Sequence, residues 1–169
     1  GDIGDNQSWR IGAYSLQTDV NTRTTNEGMV TFVGENSLYA ADARYTLAPT
    51  GNATQQELIA QAAVFYRNED GTYNDADAGT GTLGYTESSL GWHAQAVYKF
   101  ARAWRVGVRY SRLHAPDTPA GFAGSALDSQ GHDPHTYSVM GDWTNSEFGR
   151  IRLQYNREKL DNGAADNQF

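Results

Sequence analysis

Cysteine is absent from the 169 residues, which removes disulfide scaffolds, thiolate zinc sites and thiol nucleophiles. No apolar run approaches the roughly 18 residues that a membrane helix needs, so helical spans are excluded. Proline is scarce. Three of the four lie between Ala115 and Pro134 and the fourth is Pro49, so none interrupts a segment of alternating pattern, as an unbroken β-ladder requires. Basic residues are outnumbered, 13 Lys and Arg against 20 Asp and Glu, and no basic patch rises above that background, so no nucleic-acid partner is expected. The opening GDIGDNQSW has neither a basic nor an apolar signal region. An exported protein would have lost it, or these residues begin inside a longer chain. Hydrophobic residues reach only 38%, little for a soluble single-core domain of this length.

What is present is alternation. In Leu90–Tyr110 the residues Leu90, Trp92, Ala94, Ala96, Tyr98 and Phe100 share one parity, with His93, Gln95 and Lys99 on the other. After Ala101–Arg102–Ala103 the pattern restarts with Trp104, Val106, Val108 and Tyr110 against Arg105, Gly107 and Arg109. Successive strand residues point to opposite faces, so this is a hairpin with one apolar and one polar face. The aromatics stand at strand ends with small aliphatics between them, the pattern of a lipid-facing barrel surface.

Further strands are expected at Gln7–Leu16, Leu38–Leu47, Glu57–Arg67, His135–Thr144 and Arg150–Glu158, with Asn167–Phe169 opening one more. Thr18–Asn36, Asn68–Tyr85 and Ala115–Pro134 read as long polar loops, the first with VTFV at 30–33 as an alternative extension of its hairpin, and Leu160–Asp166 as a loop. Pro49–Asn52 and Asn145–Gly149 read as short turns. Long and short connections alternate, as in bacterial outer-membrane barrels, where all long loops lie on one side. The fold expected is all-β, an antiparallel up-and-down transmembrane β-barrel segment. About seven to eight strands of a larger barrel would form an open curved sheet, truncated at both ends, whose first and last strands do not pair.

Three stretches carry a family likeness: SVMGDWTNSEFGRIRLQYNREKLDNGAADNQF (138–169), GWHAQAVYKFARAWRVGVRYSRL (91–113) and LYAADARYTLAPTGNATQQELIAQAAVFYRNEDG (38–71). Together they resemble the C-terminal part of a proteobacterial outer-membrane family described as TonB-dependent-receptor-like or zinc-regulated receptors, or as phosphate-selective-porin-like barrels. The resemblance implies residence in the outer membrane of a Gram-negative bacterium, transport of a small solute, and one more strand beyond Phe169. It also implies that any plug domain and TonB box, through which TonB would act, lie N-terminal to these residues.

The outward parity places Trp9, Tyr39, Tyr45, Tyr66, Trp92, Phe100, Trp104, Tyr110, Tyr137, Trp143 and Tyr155 in lipid-facing belts. The inward parity is basic: Arg10, Arg44, Arg67, Lys99, Arg105, Arg109, Arg150 and Arg152 face a lumen with Asp42, Asp142 and the strand-end Glu158. Such a wall lowers the barrier for phosphate-like anions; equally, it forms structural ladders with carboxylates. His114, His132 and His135 with Asp128 and Asp133 sit on or beside one long loop, imidazole and carboxylate together being able to bind zinc, and the set His132, Asp133 and His135 heads them. A loop supplies no fixed coordination geometry, so neither metal nor cofactor is expected. His93 lacks a Gly-framed serine partner and reads as a polar wall residue, so no enzyme is indicated. Arg112, Arg157 and Lys159, just past the outer aromatics, are either contacts to lipopolysaccharide phosphates or solvated bases.

The function expected is an outer-membrane barrel for solute uptake with a basic lumen wall. One alternative is an anion-selective passive porin. Another, of a different class, is a soluble β-rich carbohydrate-binding module whose rings stack on sugars.

Overall fold

The computed structural model describes residues 1–125, 127–146, 149–160 and 164–168. The strands are β1 (Asp2–Ile3), β2 (Gln7–Thr25), β3 (Val30–Leu47), β4 (Glu57–Asp75), β5 (Thr82–Ala101), β6 (Trp104–His114), β7 (His135–Ser146), β8 (Gly149–Leu160) and β9 (Ala164–Gln168). They make one antiparallel sheet in the order β1-β2-β3-β4-β5-β6-β7-β8-β9, and β1 does not pair with β9. The fold is therefore all-β, up-and-down and open. No second sheet covers either face among the described residues.

The faces divide as alternation demands. Tyr39, Ala41, Ala43 and Tyr45 pair across β3 and β4 with Tyr66, Val64, Ala62 and Ala60, and the same face continues through Ala94, Ala96, Val108 and Val139. This apolar face is the exposed one: Val108 is 58% and Leu153 76% accessible. On the polar face Asp142 is 1% accessible and Gly107 is buried.

Three expectations need correction. Thr18–Asn36 and Asn68–Tyr85 are not loops, because the ladder runs through them. Thr24 pairs with Thr31, Phe32 with Tyr73 and Asn74 with Thr82, so the hairpins of β2–β3 and β4–β5 extend well past the aromatics. Their polar composition hid a strand with few apolar residues on either face. A turn at Asn26–Gly28, with Glu27 and Gly28 at φ 55 and 91, closes the first hairpin. It lies at the end that also carries the Ala115–Pro134 connection, the long-connection end, opposite the tight-turn end marked by residues 102–103 between β5 and β6. Secondly, Gln7–Leu16 is not the sheet's edge, since β1 pairs with it through Asp2↔Ser8. Thirdly, Leu160–Asp166 is not wholly loop, because β9 starts at Ala164 and pairs Leu160↔Ala164. Asp161–Gly163 lie outside the described residues, as do Glu147 and Phe148 of the expected turn Asn145–Gly149 and Phe169 of the expected last strand.

A register shift between Val20 and Arg23 lets Arg23 pair with Phe32, moving it to the polar face. Gly34 and Gly71 face each other just below. A Cβ on Gly34 would collide with the Asp70 carbonyl and one on Gly71 with the Val33 carbonyl, so no larger residue fits this close approach.

The buried core is small and sits at the long-connection end of the polar face. Val30, Phe32, Tyr73, Tyr85 and Phe122 form it. Phe122, wholly buried, comes from the Ala115–Pro134 connection, which folds back over β5 and β4 to reach β3. That connection is a genuine loop, as its prolines suggested, but it is fastened. Asp128 accepts from the Gly124 and Gln130 amides and from the Thr118 hydroxyl, and Phe122 N–H donates to the Pro119 carbonyl.

Candidate functional site

The polar face is built of hydrogen-bonded rows that cross the strands. One row holds Arg10, Arg44, Gln61, Gln95, Arg109, Ser138 and Asn156 as successive partners from β2 to β8. It contains three guanidinium groups and no carboxylate. Gln95 Nε2 donates to Gln61 Oε1. Like charges directly opposite destabilise a sheet, and Arg10 and Arg44 are opposite. Arg10 escapes by reaching Asp42 at 3.1 Å, while Arg44 has no ion pair among the described residues.

Two rows with acids flank it. On the long-connection side lie Asp42, Ala63, His93, Ser111, Thr136 and Glu158. His93 stacks on Phe65, with centroids 6.0 Å apart. On the tight-turn side, past the uncharged row Ile59, Val97, Gly107, Met140 and Gln154, lie Glu57, Lys99, Arg105, Asp142 and Arg152. Asp142 accepts from Arg150 Nε at 2.8 and 2.9 Å, from Arg150 Nη2, and from Arg152 at 3.2 Å. Both of its oxygens are thereby engaged, and Arg105, its direct partner on β6, makes no ion pair among the described residues. Lys99 instead donates to the Ala53 carbonyl at 3.2 Å. The expected lumen residues Arg44, Lys99, Arg105, Arg109, Arg150, Arg152, Asp42 and Asp142 thus share one face. Only Asp42 and Asp142 of this set are acids, and arginines hold both.

Sequence reading missed Glu69, 3% accessible, which takes Arg23 at 2.7 Å and Arg67 at 3.4 Å beside the buried core. Burial pushes the Tyr85 hydroxyl, close by, up to about 12, so it stays neutral. Alternation continuing past Gly71 was the available signal, masked by its Asp, Thr and Asn content. His132, Asp133 and His135 do not assemble. Asp133 is held by Arg112 at 2.9 Å, His114 Nδ1 at 2.9 Å and the Ala115 amide at 3.2 Å, while His135 packs against Tyr110 and Tyr137. Among the described residues no three His, Asp or Glu are grouped to hold a metal ion.

On the apolar face the rings form two lines. The first runs Tyr39, Tyr66, Trp92, Tyr110, Tyr137, Tyr155 from β3 to β8. Neighbours along it touch: Trp92–Tyr110 centroids are 5.2 Å apart and Tyr110–Tyr137 4.8 Å. The second runs Trp9, Tyr45, Tyr98, Trp104, Trp143, and Trp104–Trp143 centroids lie 6.3 Å apart. Phe100, of the expected belt, lies one place further towards the tight turn. On β3, β5, β6 and β7 the two lines are six positions apart, as Tyr39 and Tyr45 are. Neither follows a hydrogen-bonded row. Each steps towards the tight-turn end in the same sense, and the first drops six residues over five strand interfaces.

An uncharacterized protein of Aquifex aeolicus (strain VF5) is 27% identical over 145 residues, covering 85% of this chain and 29% of the Aquifex protein. The chain therefore spans under a third of the relative it matches. No family model matches the chain, and no solved structure matches it.

Proposed function

We propose that this chain is part of the wall of a bacterial outer-membrane β-barrel, with the apolar face in lipid and the polar face lining a path for small anionic solutes. The carrying observation is the pair of parallel aromatic lines. Rings that mark a membrane boundary must lie level, and strands of a barrel are tilted, so a level line has to cross the hydrogen-bonded rows at a steady rate. A drop of about one residue per strand, with roughly 3.3 Å per residue and 4.8 Å between strands, corresponds to a tilt of roughly 35–40°, within the range for membrane barrels. The six positions between the lines span about 20 Å of strand, or roughly 15 Å of height at that tilt. The rings on either side extend this towards the ~25 Å apolar band.

Anion preference is supported by the acid-free row through Arg44 and Arg109 and by Arg105, whose carboxylate partner is already taken. Side-chain rings of one sign set the barrier for ions of the other. The carbohydrate-module alternative would bury the aromatics between two sheets, and no second sheet covers them among the described residues.

The test uses the complete protein in planar bilayers. Replacing Arg44, Arg105 and Arg109 by Gln should shift the reversal potential towards cations. An unchanged potential would reduce those arginines to wall structure. Lipids brominated in the acyl chain should quench Trp104 and Trp143 fluorescence, whereas quenching only by an aqueous quencher would remove the membrane reading itself.

A further inference from the structure

Cations on the apolar face are confined to one corner. Arg112, His135 and Arg157 each occupy the first outward position past the upper aromatic line on β6, β7 and β8, beyond Tyr110, Tyr137 and Tyr155 respectively. Lys159 lies one outward place further and pairs in register with His135. At the equivalent level β3, β4 and β5 carry Ser37, Asn68 and Leu90, so the positive charge is a local patch and not a girdle. Arg157 and Lys159 are exposed, and neither has an ion pair among the described residues. Asp133 takes Arg112 and His114, each at 2.9 Å, so three basic side chains, Arg112, Arg157 and Lys159, stand against one carboxylate and the patch is net cationic.

A second feature adjoins it. Below Tyr110 and Tyr137 the apolar face carries a groove floored by Ala60, Ala62, Ala94 and Ala96. Small side chains there leave room that the flanking rings wall in. A cationic patch above an apolar groove matches an amphipathic molecule with a phosphorylated head and hydrocarbon tails.

We infer that this corner is a binding site for a phosphorylated outer-leaflet lipid. Arg112, Arg157 and Lys159 hold the headgroup phosphates, and an acyl chain lies along the alanine groove. The inference rests on the membrane-barrel reading, which fixes the patch at headgroup depth. Guanidinium groups take phosphate oxygens bidentately and lysine adds a point charge. Tyr110 and Tyr137 separate head from tail, as interfacial rings do.

The complete protein, purified in neutral detergent, is offered diphosphoryl lipid A and phosphatidylcholine, and retained lipid is counted by native mass spectrometry. Lipid A should be retained in preference, and Arg157→Gln/Lys159→Gln should weaken it by about tenfold or more. Arg102→Gln, on the tight turn at the opposite end, should leave retention unchanged. Equal retention of the two lipids, or no effect of the double change, would overturn the site. Displacement of lipid A by millimolar inorganic phosphate would also overturn it, in favour of a free-anion site. Failure of the complete protein to enter bilayers would instead reject the barrel reading and the lipid site with it.

Discussion

Ala96 and Gln95 are chain neighbours on opposite faces: Ala96 pairs with Ala60 and Val108 between the two aromatic lines, and Gln95 with Gln61 and Arg109 in the acid-free row. On the proposed membrane-barrel reading, arginine at Ala96 would put a charge into hydrocarbon near mid-membrane, at a cost of about 2–4 kcal/mol, and the same charge at Gln95 far less. Denaturant titration of folding into lipid should separate the two variants, and equal midpoints would invert or abolish the face assignment. Asp142 carries a different burden. Its removal leaves Arg150 and Arg152 without their shared carboxylate, with Arg105 close by in the same row, and breaking a buried pair costs about 3–5 kcal/mol. With these arginines 43–49% accessible at Arg152 and Arg150, water recovers part of that cost. Asp142→Ala should therefore lower the folding midpoint by less than the full figure. Further loss of Arg150 and Arg152 should restore part of it. The legible part of this scale was parity: each wall arginine was readable as inward from its neighbours. That both oxygens of Asp142 go to Arg150 and Arg152, leaving Arg105 out, was not readable, because it depends on side-chain reach across β7 and β8.

Among the elements, the two extended hairpins and the in-folded loop behave as one unit. Phe122 fills the gap between Phe32, Tyr73 and Tyr85, and truncation of a buried Phe costs about 3–5 kcal/mol. Phe122→Ala should release the loop without unfolding the strands below, so amide exchange should rise in 116–125 while β6 and β7 keep their protection. Loss of protection throughout would show the cluster to be the core of the whole sheet. The loop's base is held by Asp133, whose carboxyl the Arg112 hydrogen bond keeps below the usual carboxylate range, with the Ala115 amide and His114 helping against partial desolvation. A depressed folded value means the stabilisation is present above the ordinary carboxylate pKa and lost as pH falls through the folded one. Exchange at Ala115, corrected for intrinsic rates, should accordingly accelerate only under acid conditions. Acceleration already near neutrality would show that the Asp133 carboxylate is not what holds the loop's base. Sequence reading erred most here. Asn, Thr and Gly suggested loops, yet a hairpin's backbone hydrogen bonds and the pairing of Phe32 with Tyr73 carry the ladder on.

For the molecule as a whole, an open sheet in lipid exposes unpaired backbone groups along its outer strands, each costing several kcal/mol. The 169-residue chain alone should thus fail to give a heat-modifiable species in lipid, whereas the complete protein should give one; gel mobility with and without boiling distinguishes them. Alternation by itself determined the class, the two faces and the sequential strand order. A period of two is a local property that survives without knowledge of any partner, and short turns leave neighbouring strands little choice but to pair. Tertiary structure decided what alternation cannot encode. Pairing register brought Arg44, Gln95 and Arg109 into one acid-free row and set Arg112, His135 and Arg157 at one level, because a row exists only once each strand's offset from its neighbour is fixed. The docking of Phe122 on Tyr73 and Tyr85 likewise belongs to tertiary structure alone, since it joins residues that no local pattern relates.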